Sequence, residues 1–256
     1  MATPNNLLPI PDKLVVLSFD DGNKSDITFV APTLKRYGFG ATFYITEGLG
    51  FLENKDHYLT WEEVAQMHED GFEIGNHTQY HENVTEVSKE AFAASLGHID
   101  MRCSEYGIEK PVTFCYPAYN NSQRAVEVLM ERGFHFARRG TTPEYPFLTT
   151  GGRGPAYDPG EDHPLLIPTT GASGPDWHFE DLVWALEQAR DGKITVLTFH
   201  GVPALEHSWV NTPQDVFEDY MKFLHEESAT VISVRDLGKY VDYTVRPDDA
   251  YGKFKD

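Results

Sequence analysis

The sequence predicts an α/β protein built around a largely parallel sheet. Short apolar runs rich in β-branched and aromatic residues alternate with amphipathic helical stretches, which is typical of repeated strand–helix units. The length of 256 residues suits a single α/β domain. Polar residues follow the ends of several apolar runs, where parallel sheets collect functional groups. We therefore expect one domain, with a core over residues 14–241 and a loose polar tail over 242–256.

The elements follow from local signals. The first strand begins at Leu14 and leads into Ser18-Phe19-Asp20-Asp21-Gly22. Thr60 and Glu63 form a predicted capping box at the start of a helix. Further strands are predicted at residues 41–45, 72–76, 112–115, 134–137, 194–199 and 230–233, and helices at 27–37, 61–70, 88–106, 122–132, 179–190, 213–226 and 234–241. The irregular stretch 140–176 predicts a functional insertion, with only residues 165–167 resembling an element.

Charge and composition exclude several partner classes. The chain has 21 Lys and Arg against 40 Asp and Glu, a formal charge of -19, which disfavours nucleic acid and anionic membranes. No apolar run approaches the ~20 residues that a bilayer span needs. The first residues lack the features of a secretory signal, so we expect a cytoplasmic protein or a mature extracytoplasmic form. Cys103 and Cys115 are too few for a disulfide scaffold, and spacing does not say whether they pair.

Asp20 and Asp21 are the first candidate functional residues. Two adjacent carboxylates raise each other's proton affinity, and a metal ion bound by one of them would offset that cost. An Asp-Asp-Gly turn is the structural alternative. His77 and His81 follow the third predicted strand at a spacing that can place both rings on one face. Together with Asp21 they make two nitrogens and one oxygen, the composition of a catalytic metal site with room for water.

These residues belong to a series of motifs that resembles the polysaccharide deacetylase family, also called the NodB-homology domain or carbohydrate esterase family 4. The resemblance covers residues 14–237. It implies a distorted, partly open (β/α) barrel of about seven parallel strands. The five segments, in order, are Ser18-Phe19-Asp20-Asp21-Gly22, His77-Thr78-Gln79-Tyr80-His81, Phe114-Cys115-Tyr116-Pro117-Ala118, Asp176-Trp177 and the strand that ends in His200.

The resemblance also implies roles for individual residues. Asp21, His77 and His81 would bind one divalent ion, zinc first, with cobalt, nickel or manganese as alternatives. Asp20 would be the general base, and His200 the acid that protonates the leaving group, kept protonated by Asp176. The backbone N–H of Ala118 would stabilise the oxyanion, and Trp177 would wall the acetyl pocket. Tyr119 and Trp209 are further candidates for substrate contacts, and Asn120 and Tyr80 are rim candidates. His207 differs from the histidines that have no spacing partner only because segment 201–212 must leave the strand end beside His200. Thr78 is expected to hold the metal loop through local hydrogen bonds of its hydroxyl.

Two departures from the family pattern stand out. Cys115 occupies the place where many members carry an arginine that contacts the catalytic aspartate. We therefore expect either a higher pKa for Asp20 or another cation in that place, with Arg153 as a candidate. Thr198 stands where a leucine is usual, which predicts a more polar acetyl pocket. Neither departure removes a metal ligand or a proton-transfer group.

Three functions follow from this pattern. The leading hypothesis is a metal-dependent hydrolase that removes acetyl groups from an N- or O-acetylated oligo- or polysaccharide. A hydrolase of cyclic imides or related C–N bonds on the same fold is the second, and a catalytically silent carbohydrate-binding module is the third. Asp20 and His200 argue against the silent module, because metal binding alone needs neither. The sugar, the oligomeric state and the native ion are not determined by the sequence.

Overall fold

The strands form one curled parallel sheet. The computed structural model describes residues 7–146 and 150–255. Seven strands run in the order β5-β4-β3-β2-β1-β7-β6, β8 pairs with β1, and every pairing is parallel. This confirms the predicted partly open (β/α) barrel. The strands are β1 (Leu14–Phe19), β2 (Thr42–Ile45), β3 (Glu73–Asn76), β4 (Thr113–Cys115), β5 (Phe136–Arg138), β6 (Gly171–Ala172), β7 (Thr195–Phe199) and β8 (Thr230–Ile232).

Strand β1 is the centre of the sheet and is buried along its whole length. Its residues from Val15 to Phe19 pair with β7, its first three residues pair with β8, and Ser18 and Phe19 pair with β2. A strand buried on both faces needs a continuous apolar run, and β1 reads Leu-Val-Val-Leu-Ser-Phe. The chain that leaves its carboxyl end therefore emerges in the middle of the barrel mouth.

The segment before β6 connects β5, at one edge of the sheet, to β7. The N–H of Ile167 donates to the Ala137 carbonyl at 2.9 Å, and the N–H of Arg139 donates to the Ile167 carbonyl at 2.8 Å. Three residues on, the N–H of Thr170 donates to the Val196 carbonyl at 2.8 Å. Residues 167–170 thus bridge β5 and β7, and they bring side chains from the insertion into the barrel.

Six α-helices surround the sheet in the part of the chain that is described. At α2, Thr60 Oγ1 accepts from the Glu63 N–H at 3.2 Å and Glu63 Oε2 accepts from the Thr60 N–H at 2.8 Å, so the predicted capping box forms. The helices are α1 (Ala31–Tyr37), α2 (Trp61–Glu69), α3 (Lys89–Glu105), α4 (Gln123–Arg132), α5 (Phe179–Gln188) and α6 (Gln214–Glu226).

Several predicted elements differ in detail. The helix predicted over 27–37 begins with one turn of π-helix, Asp26–Val30, before α1. The segment at 165–167 lies in the short 3₁₀ turn Pro164–Leu166, and the last predicted helix is the 3₁₀ turn Arg235–Lys239. Strand β6 has only the residues Gly171 and Ala172. Two small residues carry no periodic signal, so this strand could not be predicted.

The C-terminal tail is docked, which corrects the expectation of a loose segment. Ala250 is buried, and the Tyr251 hydroxyl donates to Asn121 Oδ1 at 2.5 Å. Lys253 Nζ lies 3.1 Å from Glu144 Oε1 and also contacts Asp162 Oδ1. The tail therefore connects the insertion to the segment that precedes α4.

Both cysteines are free thiols and are buried in different hydrophobic clusters, Cys103 in the largest one and Cys115 beneath the barrel mouth. They do not pair. Among residues 7–146 and 150–255, no helix combines the length and the apolar character that crossing a membrane requires.

Candidate active site

A cavity of about 550 Å³ opens at the carboxyl ends of the strands. It brings together residues that lie far apart in the sequence, from the ends of β1, β3, β4 and β7. Most of the predicted site residues line it, namely Asp20, Asp21, His77, His81, Ala118, Tyr119, His200 and Trp209. Asp176 and Trp177 do not.

Asp21 faces the two histidines of the second motif. His77 Nε2 lies 3.4 Å and His81 Nε2 lies 3.6 Å from Asp21 Oδ1. Asp21 and His81 both have positive φ, 76° and 55°. Non-glycine residues rarely adopt this conformation, and such strain is concentrated at functional sites. The backbone is therefore bent at both ends of the cluster to bring the three side chains together.

The orientation of the His77 ring is fixed by a hydrogen bond at Nδ1. Its Nδ1 lies 2.8 Å from the Cys115 carbonyl oxygen. A carbonyl only accepts, so Nδ1 carries a proton and Nε2 is the ring nitrogen that faces Asp21. Below the loop, Asn76 Oδ1 accepts from the Thr78 N–H at 3.0 Å, and Asn76 Nδ2 donates to the Leu96 carbonyl at 3.0 Å. The amide of Asn76 thus ties the histidine loop to α3.

This cluster fits a divalent metal ion. Among the described residues, Asp21 Oδ1 is buried and has no hydrogen-bond partner, which is costly unless something else binds it. Ligands bound about 2.1 Å from one ion are spaced roughly 3–3.5 Å apart, close to the distances between Asp21 Oδ1 and the two imidazoles. Burial, followed by the neighbouring His77, lowers the pKa of His81 to about 4, so its imidazole is neutral as a ligand must be. Burial would lower the pKa of His77 as well, but Cys115 and Asp21 outweigh it and raise that pKa, so an ion bound here would replace a proton of His77. Two imidazoles and one carboxylate are the donor set of a catalytic zinc-type site.

Asp20 is bound by an arginine that was not predicted from the sequence. Arg138 Nη2 donates to Asp20 Oδ1 at 2.6 Å and to Oδ2 at 2.5 Å, and both side chains are buried. Arg153, the candidate named above, instead donates from Nε to Asp181 Oδ1 at 2.6 Å and does not line the cavity. Arg138 lies at the end of β5, as the other site residues lie at the ends of their strands. This position is the signal that could have identified it.

The guanidinium decides between the two expectations for Asp20, because another cation takes the place of the missing arginine. Burial alone would raise its pKa, but Arg138, together with His77 and His200, outweighs burial and lowers the pKa below the usual carboxyl value. Asp20 is therefore a carboxylate at neutral pH. His200 Nε2 lies 3.8 Å from Asp20 Oδ2 across the cavity.

Asp176 does not reach His200, contrary to the role that the resemblance implied. Asp176 is exposed, and the Nδ1 of His200 is buried with no hydrogen-bond partner in the described part of the chain. Burial lowers the pKa of His200 below the usual imidazole value. Trp177 is buried, but its ring packs where Gly171 and Gly152 leave room, and it lines a separate cavity of about 330 Å³. The fourth motif thus lies beside the catalytic cavity rather than in it.

The third motif forms part of the cavity wall. Ala118 and Tyr119 both have positive φ, 47° and 62°, within the short turn Pro117–Tyr119. This strained turn lies directly after β4 and places Ala118, Tyr119 and Asn120 in the cavity lining. The Tyr119 ring also lies 5.5 Å from the Arg138 guanidinium. Ala118 is thus positioned in the cavity by its backbone rather than by its side chain.

The rim is completed by the segment after β7. Trp209 is 67% exposed and lines the cavity next to His207, with 5.0 Å between their ring centroids. His207 Nδ1 lies 3.9 Å from Asp21 Oδ2. Tyr80 is 68% exposed and is not part of the lining. An exposed aromatic ring at the mouth of a polar cavity is suited to stacking on a sugar ring.

Two threonines differ from expectation. Thr78 Oγ1 is buried without a hydrogen-bond partner among the described residues, so only its backbone N–H holds the loop. Thr198 does not line the cavity. Its hydroxyl lies below it, 3.2 Å from Thr169 Oγ1 and 3.4 Å from Ser18 Oγ.

Comparison with known proteins agrees with this geometry. The family model described as polysaccharide deacetylase matches residues 9–137, half of the chain. A peptidoglycan-N-acetylglucosamine deacetylase of Bacillus cereus is 29% identical over 133 residues, 51% of this chain and 56% of that protein. YxkH of Bacillus subtilis is 34% identical over 70 residues, 27% of this chain and 24% of that protein. The matched region spans a quarter to about half of the length of these curated relatives.

Solved structures share the fold at lower identity. PdaA of Bacillus subtilis, a family 4 carbohydrate esterase, has a TM-score of 0.58 and 17% identity, covering 91% of this chain and 83% of that one. The Bc1960 peptidoglycan N-acetylglucosamine deacetylase has a TM-score of 0.61 and 14% identity, covering 92% of both chains. A family 4 pseudoenzyme from Bacillus anthracis has a TM-score of 0.58 and 15% identity, covering 89% and 66%.

Proposed function

Because this chain belongs to the polysaccharide deacetylase family, we propose that it is a metal-dependent hydrolase that removes acetyl groups from an N- or O-acetylated carbohydrate. One observation carries the proposal. The two adjacent carboxylates face different partners, Asp21 the imidazoles of His77 and His81, and Asp20 the guanidinium of Arg138. A turn with no chemical role has no reason to divide its carboxylates in this way.

Asp21, His77 and His81 would hold the ion, which we infer to be zinc because imidazole nitrogens and one carboxylate oxygen suit that ion best. When bound, such an ion supplies Lewis acidity toward the acetyl carbonyl and the attacking water. Cobalt, nickel and manganese accept similar donor sets. Metal identity is therefore part of the proposal and is tested with it.

Asp20 and His200 would move the protons. Asp20, ionised beside Arg138, takes the proton of the attacking water at a carboxylate oxygen. His200 Nε2, 3.8 Å from Asp20 Oδ2, donates a proton to the departing amine or alkoxide. Ala118 lines the same cavity and would offer its backbone N–H to the oxyanion, while Trp209 and Tyr119 would contact the sugar.

The other two functions remain as alternatives. Hydrolysis of a cyclic imide or another C–N bond would use the same Asp20 and His200, so only the product distinguishes it. A catalytically silent module is a real alternative, because a pseudoenzyme shares the fold. Against it stands the buried ion pair of Asp20 with Arg138, which metal binding alone does not require.

A product screen tests the proposal. Purified protein loaded with zinc is expected to release acetate from chito-oligosaccharides, acetylated xylan or a chromogenic acetate. Asp20→Asn should lower kcat at least 100-fold at unchanged metal content, because the general base is lost. Ring-opened product without acetate would support the imide alternative. Bound metal with no turnover on any acetylated substrate would contradict the deacetylase and support the silent module.

Metal content tests the ligand assignment separately. His81→Ala is expected to lower zinc affinity at least tenfold, measured by metal analysis after dialysis, because one of three protein ligands is gone. His98→Ala is the matched control, since His98 pairs with Glu47 outside the cavity. Equal zinc content in both variants would show that the assigned ligands are wrong.

A further inference from the structure

The two departures from the family pattern are connected through one buried side chain, Arg138, whose guanidinium contacts Cys115 directly and reaches Thr198 through the hydroxyl of Thr169. We propose that Cys115, Arg138, Thr169 and Thr198 form a single coupled unit that supplies, from β5, the cation that positions Asp20. Arg138 is a positioning residue in this proposal, which rests on the proposed function of Asp20 as general base.

The exchange between Cys115 and Arg138 follows from strand register. The two residues are direct Cα partners in the parallel pairing of β4 with β5. A guanidinium can therefore reach the same point from either strand. Arg138 Nη2 lies 2.6 Å from Cys115 Sγ as well as against both oxygens of Asp20. A side chain no larger than cysteine at position 115 is what leaves the space that the Arg138 head group fills.

The other end of the guanidinium is held by hydroxyls. Arg138 Nη1 donates to Thr169 Oγ1 at 3.2 Å. Thr169 Oγ1 donates its own proton to the Arg139 carbonyl at 2.7 Å, so it must accept from its other partners. Thr198 Oγ1, 3.2 Å from Thr169 Oγ1, is therefore a donor to it. A leucine at position 198 would leave this hydroxyl chain without its third member.

Two aromatic rings restrict the guanidinium further. Tyr44 and Tyr119 have their ring centroids 5.8 and 5.5 Å from Arg138 Cζ. Arg138 is fully buried, and so are Thr169 and Thr198. With Asp20 and Cys115 at one nitrogen and Thr169 at the other, the planar head group is bound at both ends. A change at any of these positions is therefore transmitted to the Asp20 carboxylate.

The unit can be tested by exchanging the side chains of Cys115 and Arg138, which places the arginine on β4. Arg138→Ala should lower kcat about 100-fold with little change in KM, because a displaced catalytic group commonly costs that much. Cys115→Arg alone should also be impaired, since two guanidiniums compete for one space. The double variant Cys115→Arg/Arg138→Cys should recover at least tenfold over Arg138→Ala. Zinc content should be unchanged throughout, because Asp21, His77 and His81 are intact.

Thr198 is tested in both backgrounds. Thr198→Val keeps the shape and removes the hydroxyl, and it should lower kcat several-fold in the native background and have little effect in the exchanged one. Thr195→Val is the matched control, because Thr195 is buried on the same strand and bonds the Ala185 carbonyl instead. Equal effects of Thr198→Val in both backgrounds would overturn the coupling.

Arg138→Lys and Arg138→Gln replace Arg138→Ala if that variant does not fold. The lysine cannot contact Asp20 and Thr169 together, so Arg138→Lys should regain only part of kcat. An active wild type whose double variant recovers nothing over the single ones would refute the proposal. If the zinc-loaded wild type releases no acetate, the proposed function fails, and the coupling is judged from unfolding free energies. Non-additive effects of the exchange then support the unit, and additive effects reject it.

Discussion

At the scale of single residues, the site is defined by which partner each charged side chain has. Asp20 has Arg138 and Asp21 has two imidazoles, whereas His200 Nδ1 has no hydrogen-bond partner within residues 7–146 and 150–255. No anion among those residues orients this imidazole at Nδ1, and the carboxylate of Asp20 lies 3.8 Å from its Nε2. The contribution of Asp176 that the family resemblance implied is therefore missing here.

This difference predicts an unusual mutational result. Asp176→Asn should change kcat less than about threefold, because an exposed carboxyl that does not contact His200 neither orients nor charges it. His200→Ala should lower kcat about 100-fold or more, as expected for loss of a general acid. Steady-state kinetics on a chromogenic acetate measures both. A loss with Asp176→Asn close to that of His200→Ala would contradict the placement of the fourth motif.

Asp26 offers a second prediction at this scale. It is fully buried, and within the described residues neither carboxylate oxygen has a hydrogen-bond partner. Burial, together with the nearby Asp21 and Asp20, raises its pKa well above the usual value. A raised carboxyl pKa gives stability that is complete below the unfolded pKa of 3.8 and is lost as pH rises through the folded pKa. The fold is therefore less stable at neutral pH than it would be with an uncharged side chain at this position.

Asp26→Asn should accordingly be more stable than wild type by roughly 1–3 kcal/mol at pH 7, the usual cost of a buried group without a partner. The advantage should shrink toward pH 4, where the wild-type carboxyl is protonated. Urea unfolding at several pH values measures it, with Asp219→Asn, an exposed carboxyl, as control. A pH-independent difference between Asp26→Asn and wild type would refute the titration of Asp26.

At the scale of elements, periodic apolar patterns located β1, β7 and the helices because buried strands and amphipathic helices need those patterns. Strand ends then located Asp20, His77 and His200. Arg138 was missed because it ends a short strand and its partner lies 118 residues earlier, a contact that local sequence does not encode. Strand β6 and the docked tail were missed for a similar reason, since their order depends on tertiary contacts rather than on their own composition.

The docked tail predicts unequal effects for two nearby lysines. Lys253 pairs with the buried Asp162 and with Glu144, whereas Lys255 pairs with Asp249 at an exposed position. Lys253→Met should destabilise the protein by about 1–3 kcal/mol, because it leaves the Asp162 carboxyl buried without its cation. Lys255→Met should cost less than about 1 kcal/mol, as is usual for surface pairs. Thermal unfolding of both variants measures this difference in stability. Equal melting temperatures would mean that the tail does not stabilise the insertion.

At the scale of the whole molecule, the formal charge of -19 acts on any polymer that approaches the cavity. Long-range repulsion slows the encounter with an anionic polysaccharide, and salt screens it, since the Debye length falls from about 30 Å at 0.01 M to about 3 Å at 1 M. A neutral acetylated chain feels no such repulsion. The rate of association should therefore depend on ionic strength for an anionic substrate and not for a neutral one.

We expect kcat/KM for an acetylated anionic polysaccharide to rise several-fold between about 0.02 and 0.5 M salt, and that for a neutral chito-oligosaccharide to change less than twofold. The reason is that repulsion between like charges enters the association step, which kcat/KM contains, and leaves the chemical step unchanged. A small neutral chromogenic acetate measured in the same buffers controls for salt effects on the catalytic groups. The same salt response for the anionic and neutral chains would show that the charge of this protein does not select among its substrates.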